Sequence, residues 1–154
     1  MHHAITAFFA DALAGADPLP PPLHPLVERV AIGVELAWAE GRPVPLSLGR
    51  LAQLAGVSRA HLARVFRREL GTTPVAALRE LRLSRAASLL ARTNLPVQAV
   101  AEATGFADPF HFTRTFTARF GQSPRTFRAA LAAGADMPAI RIARVADLAR
   151  RVWR

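Results

Sequence analysis

Two short strings carry the reactive side chains of this 154-residue chain in matching order, fifty positions apart. They are His61-Leu62-Ala63-Arg64-Val65-Phe66 and His111-Phe112-Thr113-Arg114-Thr115-Phe116. Arg presents a planar fork of N–H donors that fits phosphate oxygens or the O6 and N7 edge of guanine. The histidines are repeat-equivalent too, but neither has a second His, Asp or Glu at ligand spacing, so no metal is expected. Bracing the helix or touching a phosphate suits them better. Cys is absent, which removes thiolate nucleophiles, disulfides and thiolate-held zinc together. The chain has no G-x-S-x-G, no Gly-rich phosphate loop and no carboxylate pair with a helper. Neither an enzyme nor a cofactor is expected.

Charge points the same way. All 20 cationic side chains are Arg, against 11 acids, for a formal net charge of +9. Residues 1–46 hold two Arg against five acids, whereas residues 47–154 hold 18 Arg against six. A basic block of that size fits a polyanion-binding domain. A basic surface kept for solubility would explain the charge alone equally well.

The strings need elements to hold them, and a longer repeat supplies these. Residues 51–57 match 100–106 at an offset of 49, one residue is then inserted, and the offset is 50 onward through Leu70-Gly71-Thr72-Thr73-Pro74 and Phe120-Gly121-Gln122-Ser123-Pro124. Each copy reads as a short helix, a turn at Gly56 or Gly105, a second helix ending at Gly71 or Gly121, and a Thr-Pro or Ser-Pro start for the next. This is a helix-turn-helix pattern in tandem, and strand signals are almost lacking. The expected fold is all-α: homeodomain-like units at about 47–70 and 96–120, joined by a linker helix over 74–92.

On the first long helix, Leu62, Val65, Phe66 and Leu70 share the core arc. The opposite arc carries Ala60, Ala63, Arg64 and Arg67, with Arg68 on its flank and Arg59 at the start. In the second copy Phe112, Thr115, Phe116 and Phe120 face inward, and Phe110, Thr113, Arg114 and Thr117 face outward. Arg and Thr can bond to base edges, while Ala or Phe can rest on a thymine methyl. A solvated charged face would account for one such helix, but Arg64 and Arg114 recur at the same place in two. Arg82 stands in the apolar arc of Val75, Leu78, Ala86 and Leu89, so it is expected partly buried, its guanidinium satisfied by carbonyls or a carboxylate.

Residues 26–128 resemble the DNA-binding domain of AraC/XylS-type bacterial transcription regulators. The resemblance rests on Gly56-Val57-Ser58, His61-Leu62-x-Arg64-x-Phe66, Arg82-Leu83-x-x-Ala86-x-x-Leu89-Leu90 and Gly105-Phe106-x-Asp108-Pro109. Phe112-x-Arg114-x-Phe116 and Phe120-Gly121-x-Ser123-Pro124 complete it. It implies seven helices, with two recognition helices placed in successive major grooves of an asymmetric double-stranded DNA site. Its base-reading positions fall on Arg59, Ala60, Ala63 and Arg64, then on Pro109, Phe110, Thr113 and Arg114. Ala60, Ala63 and Phe110 depart from hydrogen-bonding types, so readout there is apolar or weak. Contacts to the DNA backbone are expected from His61, Arg67, Arg68, His111 and Thr117.

Three segments follow from this. Residues 1–24 join a short helix (Ile5, Phe8, Phe9 and Leu13 on one face) to a Pro-rich linker, like the end of a regulatory domain. Residues 25–130 form the DNA-binding domain, and 131–154 a basic helical extension. There Arg141, Arg144, Asp147, Arg151 and Arg154 share one face, and Ile142, Val145, Ala149, Val152 and Trp153 lie largely on another. No apolar run reaches the ~18 residues of a membrane span, and the start lacks a signal peptide's basic region. A cytoplasmic, nucleoid-associated regulator is expected. RNA polymerase is a further candidate partner, and the N-terminal helix or a missing sensing domain a candidate route to self-association. The alternative is a truncated interaction module acting through a full-length regulator or the polymerase.

Overall fold

The computed structural model describes residues 22–41, 46–138 and 143–152. Among these residues the chain forms eight helices and no strand: α1 (Pro25–Ala39), α2 (Leu48–Ala55), α3 (Arg59–Leu70), α4 (Pro74–Arg92), α5 (Val97–Ala103), α6 (Pro109–Phe120), α7 (Pro124–Ala132) and α8 (Ala143–Val152). The all-α tandem architecture expected from the repeat is the one observed. The helix expected over Ile5–Leu13 lies outside the described residues.

Caps set most of the boundaries. Ser47, Ser58, Thr73 and Ser123 each accept a hydrogen bond from the backbone N–H three residues on, at 3.2–3.3 Å. Asp108 accepts two, from Phe110 N–H at 2.9 Å and His111 N–H at 3.1 Å. These bonds satisfy donors that a helix start leaves without partners. Helix α5 begins at Pro96 without a side-chain cap.

The buried residues form two clusters, one per unit. The first joins α1, α2, α3 and the front of α4 around Trp38, Leu62, Phe66 and Leu78. The second joins the rear of α4 to α5, α6 and α7 around Phe106, Phe112, Phe116 and Phe127. Helix α4 is shared: Ala77, Leu78 and Leu81 enter one core, and Leu83, Ala86, Ala87 and Leu90 the other. It is therefore buried over more of its circumference than the single arc of Val75, Leu78, Ala86 and Leu89 implied, and Val75 and Leu89 are only half-buried. The cause is packing on several sides, against α2, α3, α5, α7 and α8.

Helix α8 packs on α1, α3 and α4, with Val145 and Leu148 fully buried in the first core. Its charged face is not wholly turned to solvent, because Asp147 is also buried. Thr115, expected on the core arc of α6, is half-exposed, and its hydroxyl donates to His111 O at 2.8 Å.

Candidate nucleic-acid interface

Helices α3 and α6 present the side chains that the repeat singled out. On α3, Arg59, Ala60, His61, Arg64, Arg67 and Arg68 are exposed, and Ala63 is half-buried. On α6, Phe110, His111 and Arg114 are exposed, while Pro109, Thr113 and Thr117 are half-buried. Phe110 is 79% exposed, an unusual position for a large apolar ring on a folded surface. Inward, Leu62 and Phe66 on α3 and Phe112 and Phe116 on α6 are fully buried. The same backbone positions thus anchor and present in both copies.

Local geometry explains how each face is held. Gly56 caps α2 with a left-handed backbone (φ 66°), and Ser58 then starts α3. In the second copy the positive φ (75°) falls on Gly105, one residue past the end of α5 at Thr104. Gly105 serves a close approach as well, since a Cβ there would stand 2.5 Å from the Trp38 indole. Arg59 lies over Gly49 of α2, where a Cβ would meet its Nε at 3.5 Å. His111 leans toward Phe106, ring centroids 5.8 Å apart. Arg68 is engaged on the surface, its Nε 3.0 Å from the Glu69 carboxylate, and this bond holds the Glu69 carboxyl below its ordinary range. Among the described residues no group of three His, Cys, Asp or Glu is placed to hold a metal ion.

Behind the faces, α4 carries three charged anchors. Arg82 is buried, its Nε donating to Thr104 O at 2.6 Å and its Nη2 to Gly105 O. Its guanidinium lies 3.8 Å from the Phe106 ring centre and 5.4 Å from that of Trp38. Burial, with a smaller contribution from Arg79, pushes it down to about 10, so it stays cationic at neutral pH. Of the two kinds of partner expected from its place in the apolar arc, carbonyls or a carboxylate, carbonyls are observed. Arg85 pairs with Glu35 of α1. Glu80 receives Arg119 of α6 through both carboxylate oxygens, at 2.5–3.0 Å, with both side chains about nine-tenths buried.

Sequence reasoning missed this last pair. The available signal was a charge reversal between the copies, Glu69 in the first and Arg119 in the second, with Glu80 on the linker helix as an acid to meet it.

Two capped helix pairs, each exposing the second helix and joined by a shared central helix, define a tandem helix-turn-helix protein. A family model described as a helix-turn-helix domain matches residues 51–130. The chain belongs to this family, in its AraC-type branch. It is 39% identical over 105 residues to the HTH-type transcriptional regulator GlxA of Rhizobium meliloti, covering 68% of this chain and 31% of that regulator. The chain thus spans under a third of that relative's length.

Among solved structures it is similar to an AraC-type transcriptional regulator from Chromobacterium violaceum, at 35% identity and TM-score 0.58, covering 72% of this chain and 96% of that one. It is also similar to the DNA-binding domain of AdpA, solved in complex with a target DNA. That match has 30% identity and TM-score 0.57, covering 68% of this chain and 94% of that one.

Proposed function

We propose that this chain is a sequence-specific DNA-binding transcription regulator that inserts α3 and α6 into successive major grooves of an asymmetric promoter site. The observation that carries this reading is the pair Arg64 and Arg114, repeat-equivalent and both exposed on the second helix of their unit. The likeness to a domain solved on its target DNA adds support.

Arg59, Ala60, Ala63 and Arg64 read bases in one groove, and Pro109, Phe110, Thr113 and Arg114 in the other. Arg and Thr supply hydrogen bonds, and Ala and Phe an apolar surface for thymine methyls. Phe110, held out by the Asp108 cap, suits the last role. His61, Arg67, Arg68, His111 and Thr117 contact phosphates and set the depth of insertion. Effector sensing, if supplied by another part of a longer protein, lies outside this fold. Among the described residues no helix is long and apolar enough to cross a membrane, which is compatible with action on the nucleoid.

A second reading, a module acting through a full-length regulator or RNA polymerase, draws on one surface feature. Ile32 and Leu36 of α1 and Leu54 of α2 are exposed, with Leu54 lying over Gly33. Gel shifts on DNA selected from a random pool separate the two readings. DNA reading predicts a shift that the Arg64→Ala/Arg114→Ala double variant loses on selected sites and largely keeps on random DNA. A wild type that does not distinguish selected from random DNA would leave only the interaction reading, and equal behaviour of the double variant would remove Arg64 and Arg114 as base readers.

A further inference from the structure

Helix α8 lies beyond the segment matched by the family model, which ends at residue 130, yet its described buried residues complete the core of the first unit. Val145, Leu148 and Ala149 join Leu62, Val65, Phe66 and Leu70 of α3 in the first cluster, and among the described residues none of α8 enters the second. At its start, Arg144 Nε donates to Glu69 O at 3.1 Å. Glu69 stands in the last turn of α3, where carbonyls lack a helical partner and a cation meets the negative end of the helix dipole.

The same residue has a second tie, because its carboxylate accepts the His24 N–H at 3.3 Å from the chain entering α1. The end of α3 is therefore tied both to α8 and to the start of α1. Helix α6 is tied differently, through Arg119 to Glu80 of α4, inside the family segment. Two recognition helices that look alike in sequence are seated by different parts of the chain.

We propose that α8 is the positioning element of the first recognition helix, so that reading of the half-site facing α3 depends on α8 being docked while reading by α6 does not. This rests on the DNA-binding reading above. Arg144 and Leu148 are positioning residues in this scheme and need touch no DNA.

The test uses the full chain with Arg144→Ala, Arg144→Lys and Leu148→Ala. Binding is measured on the selected site and on probes with either half scrambled. Amide hydrogen exchange is measured on the free protein. Arg144→Ala should weaken binding about tenfold wherever the α3 half-site is intact, and little where only the α6 half-site remains. Exchange should quicken in the last turn of α3 and stay unchanged in α6. Arg144→Lys should restore part of both effects, and Leu148→Ala should act in the same direction more strongly.

Uniform weakening on all probes with faster exchange throughout would overturn the proposal, as would no change in either measurement. If wild type fails to distinguish selected from random DNA, the DNA reading itself has failed. Exchange then decides the brace: a change confined to the first unit retains it, and no change removes it.

Discussion

Arg64 and Arg82 show how far burial changes the work of one side chain. Arg64 stands in solvent on α3, whereas Arg82 fills the space between Trp38 and Phe106 and answers two carbonyls at the α5–α6 turn. Arg82→Ala should therefore lower stability by about 2–4 kcal/mol, through a cavity and two unanswered buried carbonyls, as read by urea unfolding. The sign of its pH dependence follows from a folded value lowered by burial to about 10, below the ordinary guanidinium range. The unfolded chain holds the proton more tightly, so the burial penalty is fully present below about 10 and relieved only above it. The difference between wild type and Arg82→Ala should thus be flat from neutral pH to about 9, and a slope there would mean that burial lowers the guanidinium further than to about 10. Arg64→Ala should leave stability within about 0.5 kcal/mol but cost about 1–3 kcal/mol of affinity on a selected site, with little loss on random DNA. Uniform loss on all DNA would reassign Arg64 from base reading to phosphate contact.

At the scale of elements, caps and turns were legible because their signals are local. Ser47, Ser58, Thr73, Asp108 and Ser123 each bond within three residues, and glycines mark the ends of α2, α3 and α6. The outward placement of Arg64 and Arg114 was legible for the same reason, helix period being a property of one segment. Contacts between segments were not. Glu80 meets Arg119 across 39 residues and Arg144 meets Glu69 across 75, and no spacing rule reaches that far. Burial of α4 round more than one face was hidden likewise, since its Leu and Ala positions do not say which neighbours arrive. Gly56 and Gly105 separate the two kinds of information. Both have positive φ, but a Cβ at Gly56 meets nothing within 4 Å, whereas at Gly105 it meets Trp38. Gly56→Ala should cost about 1 kcal/mol from backbone strain alone. Gly105→Ala should cost about 2–3 kcal/mol, because the Trp38 indole must also move. Equal costs in chemical denaturation would show that the indole approach is incidental.

For the whole molecule, the anchors on α4 decide how freely two DNA-reading helices could choose their spacing. A 19-residue helix is about 28 Å long at 1.5 Å per residue, near the ~34 Å between successive major-groove faces on one side of DNA. Glu80 ties α6 to α4, Arg85 ties α1 to α4, and Arg82 ties the α5–α6 turn to α4. Each bond is buried or half-buried, and breaking a buried pair by removing one partner costs about 3–5 kcal/mol. A swivel of one unit against the other would have to break several at once, so the reader should behave as one rigid body. Net charge supplies attraction without preference. Binding to any duplex should weaken with salt at a log–log slope of about −0.9 per neutralised phosphate, for roughly five to eight phosphates. Spacing supplies preference. Selected half-sites should lie about one helical turn apart, and probes with roughly 3 bp inserted between them should fall to the affinity of a single half-site. The salt slope of such probes should drop as well, since one helix no longer reaches the backbone. Glu80→Gln keeps the shape of the carboxylate but removes the charge that grips Arg119, so it should narrow the gap between optimal and spaced probes. If wild type already binds both spacings equally, the two units turn independently on DNA, and the buried charges on α4 serve stability rather than geometry.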